Sequence, residues 1–347
     1  MVHNLLPSLI MVLVQFEFAG MNIFSKLAMD SGMNPFIHVA YRQIFACIVL
    51  APLAYFIERG KRPPMTLPIF FQVFLCSIFG LTLNQITYYV GLKNSTPTIA
   101  CALSNLLPAI TFVLAVLCKQ ENAKLKTLAG QAKLIGTFVG VGGAMLLSLY
   151  HGPKIPIGQS RIHITTSANT NTNDHGQVSL IGPLLVIISS VTWAIWFIIQ
   201  AKMSTNNPAP YSTSALMMMM ATVECSIFGV IMEPHLEAWS LSLPIRAFAS
   251  IYAGVVCSGI GVCMMSWCID RRGPLFVSVF SPLLLVIVAA LSWGFLREKL
   301  YLGTVLGSIL IVMGLYCVLW GKSKETEPLQ QQQHHKLQDL KEDMEMQ

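Results

Sequence analysis

The sequence predicts an all-α polytopic membrane protein with ten transmembrane helices, arranged as two inverted halves of five helices each. Three observations support this fold class. The chain of 347 residues is 54% hydrophobic and 11% charged, whereas soluble domains carry about a quarter charged residues. Apolar segments long enough to cross a bilayer recur along the whole length. One stretch of the sequence also occurs twice.

Ten apolar segments are each long enough to cross a hydrocarbon core about 30 Å thick. Because backbone in lipid must satisfy its own hydrogen bonds, each segment is predicted to be a helix. We number these helices as spans 1 to 10 in chain order. They are predicted at residues 5–29, 35–57, 68–91, 97–118, 128–150, 180–202, 213–232, 245–268, 274–296 and 301–320.

An internal repeat relates span 4 to span 9. Residues 97–130 resemble residues 274–307 when the sequence is slid by 177 positions without a gap. The most informative matches are Pro97 with Pro274, Glu121 with Glu298, and Gly130 with Gly307. Each half holds an odd number of spans, so the second half is predicted to insert upside down relative to the first. Inverted repeats are typical of transporters that work by alternating access.

The repeats define the predicted domain organisation. The two halves cover residues 5–150 and 180–320. Residues 151–179 have too little apolar content to fold and are predicted to be a flexible linker, and residues 321–347 a disordered tail. Thirteen lysines and arginines lie on the side of the termini and seven on the other side, so both termini are predicted to be cytosolic.

The composition also excludes several classes of protein. The nine cysteines lie mostly inside apolar spans and form no CxxC pair, as expected of small hydrophobic residues in helices. The chain has no HExxH, GxSxG, P-loop or GxGxxG motif. We therefore expect no catalytic residues, no metal site, no cofactor and no enzyme activity. The net charge of +6 is spread over loops without a basic, aromatic-rich cluster, so no nucleic-acid partner is expected.

Spans 4 and 9 each carry a polar stripe that includes a proline. In span 4 the stripe lies on one helical face and consists of Cys101, Ser104, Asn105 and Pro108. The equivalent positions in span 9 hold Ser278, Ser281, Pro282 and Leu285. Proline removes a backbone hydrogen bond, so Pro108 and Pro282 are predicted to break their helices. The stripes either line a central cavity between the halves or allow close helix packing, and Asn105 beside Pro108 favours the cavity.

Ionisable side chains inside a membrane are costly, and each is a functional candidate by default. Arg42 in span 2 is a candidate for substrate binding. Glu17, Lys26 and Glu224 are candidates for coupling transport to an ion. Each also has a structural interpretation. Lys26, Lys133 and Lys202 lie near helix ends and can snorkel to the interface. Arg42 can pair with Glu17 or another acid, and Glu224 can be a protonated, silent carboxyl.

Two further groups of polar and aromatic residues are candidates for the wall of a binding site. Span 3 carries Asn84, Gln85 and Tyr88 close together. In span 6, Trp193 and Gln200 share a helical face, with Trp196 nearby. The alternative for these tryptophans is ordinary packing between helices.

Several motifs resemble those of a known family. They are Tyr41-Arg42-Gln43, Asn84-Gln85-x-x-Tyr88-Tyr89-x-Gly91-Leu92, Asn105-Leu106-Leu107-Pro108-Ala109-Ile110-Thr111-Phe112, Trp193-Ala194-x-Trp196-Phe197-x-x-Gln200 and Gly273-Pro274-x-Phe276-Val277-Ser278-x-Phe280-Ser281-Pro282. The chain resembles plant members of the drug/metabolite transporter superfamily with two EamA-type repeats. The group is the nodulin-21-like, "walls are thin"-related one, also called UMAMIT transporters. The resemblance covers nearly the whole chain apart from the linker and the tail.

The resemblance implies a transporter of small organic solutes, amino acids foremost, in the plasma membrane or the vacuolar membrane. It works by alternating access or facilitated diffusion. For an amino acid, Arg42 with Asn84 and Gln85 is the candidate partner of the carboxylate, and Asn105 with Ser281 that of the ammonium group. A group member is associated with auxin export from the vacuole, so an indole or aromatic acid is the alternative cargo. A receptor or scaffold is a more remote alternative, and the oligomeric state stays open.

Overall fold

A computed structural model describes residues 2–57, 66–94, 103–121, 126–150, 153, 181–206, 210–296 and 301–345. Among these, the side chains of residues 2–4, 26, 57, 92–93, 205–206, 210–211, 292–296 and 325–345 are not described. The regular elements in the described ranges are all helical, which confirms the all-α fold class. Most of the predicted linker lies outside these ranges.

The helices match the predicted spans closely. Nine spans in the described residues are long and apolar enough to cross a membrane, and span 4 contributes a shorter apolar helix. In the first half the helices are Val2–Asp30, Pro35–Ile57, Leu67–Cys76 continuing through Ser77–Leu83 and Asn84–Lys93, Leu107–Leu117, and Leu128–Leu149. In the second half they are Ile181–Asn206, Pro210–Met232, Pro244–Tyr252 continuing through Ala253–Gly261 and Val262–Arg272, Pro274–Ser278 followed by Leu283–Leu296, and Leu302–Glu345.

The surface and the interior of the bundle are both apolar. Leu9, Phe71, Phe138 and Tyr316 are among the large hydrophobic side chains that lie on the outside. Exposing so much apolar area to water would be unfavourable, whereas a bilayer solvates it. This distribution places the helices in a membrane.

Glycines serve two purposes in this fold, in turns between helices and in close packing of one helix against another. Gly32 and Gly273 adopt positive φ angles of 87° and 83° at the turns that join spans 1 and 2 and spans 8 and 9. Glycines also let spans 5 and 10 approach closely, because a Cβ atom added to Gly314 would lie 2.5 Å from the backbone nitrogen of Gly140.

Both ends of the described chain lie on one side of the bundle, which we call the termini side. Ten crossings return the chain to its starting side, and contacts agree with this count. Lys322 Nζ at the end of span 10 donates to Arg272 O at the end of span 8 (2.8 Å). On the opposite, far side, Arg246 Nε at the start of span 8 donates to Ser31 Oγ after span 1 (3.1 Å).

The two halves share irregular features at equivalent places. Spans 3 and 8 each contain a π-helical segment, Ser77–Leu83 and Ala253–Gly261, which we call the first and second π-helix. Adding 177 to residues 77–83 gives 254–260, inside the second π-helix. Spans 4 and 9 are both interrupted, by a turn at residues 105–106 and by turns at residues 279–282. Irregular helical segments of this kind often lie at functional sites.

The tail differs from its prediction. Span 10 continues as one helix to Glu345, through a segment that the sequence predicts to be disordered. Gln, Lys, Glu and Leu dominate this segment and favour helix, and a helix that is already formed needs no new nucleus to extend.

Candidate functional site

Eight of the eleven residues predicted to bind substrate lie around one internal cavity of about 440 Å³ between the two halves. They come from spans 2, 3, 4, 6 and 9. They are Arg42, Asn84, Gln85, Tyr88, Ser104, Asn105, Trp193 and Ser281. Residues far apart in the sequence therefore meet at a single place, which the polar stripes of spans 4 and 9 help to line.

Arg42 is the charged residue in the cavity wall, and its side chain is 5% exposed. Its Nε atom donates to Ser258 Oγ of the second π-helix (2.6 Å). Its two terminal Nη groups make no hydrogen bond to any other residue that the structure describes. The described ion pairs join Lys133 and Lys322 to Glu121, so Arg42 is not paired with Glu17 as the alternative interpretation proposed. The guanidinium therefore presents free donors in the geometry that a carboxylate requires.

Asn84 and Gln85 have different surroundings at the same wall. Asn84 Nδ2 donates to the backbone oxygen and the hydroxyl of Ser189 (both 2.9 Å), and Ser189 Oγ donates to Asn84 O (2.9 Å). Asn84 thus ties span 3 to span 6. Gln85 is buried, and its Oε1 atom has no hydrogen-bond partner in the described chain. Gln85 is therefore the more available polar group of the two.

Ser104, Asn105 and Ser281 lie at the interruptions of spans 4 and 9. Asn105 occupies the turn directly before Leu107–Leu117, and Ser281 occupies the turn before Leu283–Leu296. Pro108 and Pro282 lie at the starts of the second pieces of these two helices. Both interruptions place polar groups against the cavity.

Aromatic side chains form much of the remaining wall. Trp193 and Phe197 of span 6 and Tyr88 and Tyr89 of span 3 all belong to the cavity lining. Trp196 does not line it. Trp196 is fully buried, with its ring centroid 4.7 Å from that of Trp193.

Two other predicted binding residues also point elsewhere. Gln200 is buried, with its Oε1 atom 4.0 Å from Cys76 Sγ. Ser278 is fully buried and donates to Leu275 O (3.0 Å). Sequence spacing alone did not distinguish these packing residues from the residues of the wall.

Glu17 and Glu224, two of the three predicted coupling residues, are not among the described residues of the cavity wall. Glu17 packs against the second π-helix, where Cys257 Sγ donates to its backbone oxygen (3.3 Å). Glu224 contacts the first π-helix through Ser77 and Thr82. The side chain of Lys26 is outside the described residues.

An ion-pair cluster on the termini side was not predicted. Glu121, which is 8% exposed, accepts hydrogen bonds from Lys133 Nζ (3.3 Å) and from Lys322 Nζ. Lys133 is fully buried, so the expectation that it snorkels is wrong, because the Glu121 carboxylate compensates its charge inside the protein. Glu121 and Lys133 belong to the first half and Lys322 to the second.

A packed layer separates the cavity from this cluster. Leu107 and Phe112 of span 4 and Phe276 and Phe280 of span 9 are buried in one apolar cluster. They lie nearer the termini side than Asn105 and Ser281. The described residues therefore close the cavity on the termini side.

This architecture, with a polar cavity between two inverted halves in the membrane, defines a membrane transporter. The family comparison is more specific. The model of the EamA-like transporter family matches residues 5–149 and 180–320, and the chain belongs to that family. The family explains the internal repeat and indicates transport of small solutes rather than catalysis.

Individual relatives agree with this family assignment, and a solved structure agrees with the fold. The chain is 40% identical over 328 residues to WAT1-related protein At5g07050 of Arabidopsis thaliana, covering 92% of this chain and 82% of the relative. It is 39% identical over 320 residues to WAT1-related protein At2g39510 of the same plant, covering 92% and 85%. A solved structure titled "Crystal structure of protein" superposes with a TM-score of 0.68 at 15% identity, over 90% of this chain and 95% of the other, and supports the fold.

Proposed function

We propose that the protein transports amino acids by alternating access between its two halves, with the cargo carboxylate bound by Arg42. The observation that carries this proposal is the pair of free Nη groups on a buried arginine in the cavity wall. An uncompensated guanidinium is costly to bury, and an entering carboxylate offsets that cost with two parallel hydrogen bonds. Ser258 holds the guanidinium in place through Nε.

The interrupted helices supply the other side of the recognition. An ammonium group needs hydrogen-bond acceptors, and Asn105 and Ser281, whose side chains both contain an oxygen, lie in the cavity wall. Both residues lie where the helical ladder is broken. Irregular backbone at mid-membrane depth is tolerated where it lines a cavity, and transporters use it to coordinate their cargo.

A second candidate cargo is an aromatic or indole carboxylate such as auxin. The lining contains Trp193, Phe197 and Tyr88, and Arg42 is the single charged residue among the lining residues that the structure describes. The described lining contains no Asp or Glu side chain that could pair with the ammonium group of an amino-acid cargo. An indole acid needs a partner for its carboxylate and an aromatic wall for its ring, and it needs no site for an ammonium group. Arg42 and the aromatic side chains meet both needs, whereas an organic cation would be repelled by Arg42.

Chemical variation of the cargo tests the proposal. Purified full-length protein in proteoliposomes should exchange labelled glutamine, and unlabelled glutamine should compete, whereas its methyl ester should not, because the ester lacks the carboxylate. Indole-3-acetate added in the same assay ranks the two cargo classes. Equal competition by acid and ester would contradict recognition of the carboxylate.

We also expect cytosolic termini and residence in the plasma membrane, with the vacuolar membrane as the alternative. The support is the bias of Lys and Arg towards the termini side and the polar helical tail. A fluorescent tag with protease protection in intact cells tests both expectations.

A further inference from the structure

A buried glutamine in the same cavity wall as Arg42 has an amide oxygen without a hydrogen bond. Gln85 belongs to the described lining of the cavity, and its side chain is 6% exposed. Its Oε1 atom accepts no hydrogen bond from any residue that the structure describes. Buried side-chain oxygens are nearly always paired, because an unpaired one keeps the full cost of leaving water. A molecule that displaces water from this part of the cavity therefore binds better if it offers Gln85 a donor.

The position of Gln85 in span 3 explains why its amide is available to a ligand. Gln85 is the second residue after the first π-helix, and Asn84 precedes it. The Asn84 amide donates twice to Ser189 (both 2.9 Å), so it is occupied in holding span 3 against span 6. Oε1 of Gln85 has no comparable contact in the described chain. The terminal bond of a glutamine side chain rotates easily, so this oxygen can turn towards a donor in the cavity.

Other glutamines of the described chain provide comparisons. Gln15 of span 1 also lines the cavity and is 4% exposed, but its amide atoms are not among the buried atoms that lack a partner. Gln72 of span 3 has an unpartnered Oε1 atom, but it is not among the described residues of the cavity wall. Gln85 is the one described glutamine that combines an unpartnered oxygen with a place in the lining.

The chemistry of an amide oxygen defines the group that it binds. The oxygen is an acceptor, so its partner must carry a proton, and a carboxylate cannot satisfy it. Oε1 of Gln85 therefore suits a different part of the cargo from the carboxylate assigned to Arg42. Both candidate cargo classes contain a suitable donor. An amino acid carries an ammonium group, and an indole acid carries a ring N–H.

We propose that Gln85 determines specificity by accepting a hydrogen bond through Oε1 from an N–H group of the cargo, while Arg42 binds the carboxylate. The cavity then selects carboxylates that also carry an N–H donor. A carboxylate of the same shape without that donor leaves Oε1 unpaired, and sites with buried polar groups discriminate strongly against such analogues. This inference rests on the proposed function, because it requires the cavity to be the cargo site.

Two pairs of competitors that differ in the N–H group test the inference in the proteoliposome exchange assay. Indole-3-acetate is compared with 1-benzofuran-3-acetate, in which a ring oxygen replaces the N–H. Leucine is compared with 4-methylpentanoate, which lacks the ammonium group. In the pair or pairs that compete with labelled cargo, the N–H member should compete about tenfold or more better in wild type.

Substitutions by methionine locate the effect, since methionine is unbranched and similar in length to glutamine. Gln85→Met should reduce the preference for the N–H member to within about threefold. The preference for an acid over its methyl ester should persist, because Arg42 is intact. Gln72→Met is the matched control, at a half-buried amide of the same span, and should keep the wild-type N–H preference. Gln15→Met tests the other buried amide of the lining.

Each outcome bears on one of the two proposals. Equal competition by both members in wild type overturns the role of Gln85, whether or not the variants fold, and so does an unchanged preference in Gln85→Met. Loss of the preference in Gln15→Met alone also overturns it. If Gln85→Met folds without exchanging cargo, the ligand-induced shift of its Tm replaces exchange, and a persisting N–H preference is the contrary result. Failure of wild type to exchange any tested cargo counts against the proposed function, whereas exchange without an N–H preference counts against Gln85 alone.

Discussion

Lys322, at the end of the tenth span, donates a hydrogen bond to the Glu121 carboxylate at the end of the fourth span, 201 residues earlier in the chain. The same ammonium group donates to the backbone oxygen of Arg272 (2.8 Å). This contact joins the two inverted halves below the layer that closes the cavity on the termini side. Opening that side during an alternating-access cycle requires the Lys322–Glu121 pair to separate.

Removing the Lys322 charge should therefore loosen the termini side. A cysteine placed at buried Ser278 should react severalfold faster with a water-soluble maleimide in a Lys322→Met background than in the parent protein. Lys324→Met is the control, because it removes a lysine two positions further along. Equal labelling rates in all three proteins would show that the ion pair does not hold this side closed.

Loss of the Glu121 carboxylate should reduce stability more than loss of Lys322 does. Glu121→Gln leaves Lys133 buried without a compensating charge, and breaking a buried pair in this way costs about 3–5 kcal/mol. A lower Tm in detergent measures the effect. The double variant Glu121→Gln with Lys133→Met should recover part of the loss, and a single variant as stable as wild type would refute the pairing.

Close packing of spans 5 and 10 gives a prediction that is independent of charge. Gly314→Ala places a methyl group 2.5 Å from Gly140 N and should destabilise the fold by about 1–3 kcal/mol through overpacking. Gly142→Ala is the matched control, since a Cβ atom there meets nothing within 4 Å. Thermal unfolding of the two variants should differ clearly, and similar midpoints would mean that the helices can separate without cost.

The aromatic wall allows the two cargo classes to be distinguished. Trp193→Ala should weaken competition by indole-3-acetate about tenfold and competition by glutamine much less, because stacking on an indole ring contributes about 1 kcal/mol or more. Trp196→Phe, at a buried ring outside the lining, is the control for general damage. Equal losses for both cargoes would indicate that Trp193 shapes the cavity without selecting its occupant.

Hydrophobic length predicted the helices of this protein well. Apolar runs near 20 residues define the membrane spans even when the neighbouring helices are unknown. The polar stripe with Asn105 indicated a helix face turned away from lipid. The separation of Trp193 from Trp196 was not predictable in this way. Both side chains are large and apolar, and the burial of Trp196 depends on contacts with other helices, among them the close packing of its ring against Gly80 of span 3.

Long-range polar contacts were the other feature that the sequence did not reveal. Lys133 lies near a helix end, and nothing in its own span indicates that Glu121 neutralises it inside the protein. The contacts of the two π-helices with Arg42 and Glu224 likewise come from the opposite half of the chain. Such features become visible only when the two halves are assembled.

Glutamine and indole-3-acetate exchange by Arg42→Ala in proteoliposomes is the most direct test of the central claim, that the Arg42 guanidinium binds the carboxylate of the cargo. Exchange should fall by at least a hundredfold for both cargoes, with normal insertion and normal thermal stability, and Arg271→Ala should retain it. Undiminished exchange by a correctly inserted Arg42→Ala variant would contradict the account.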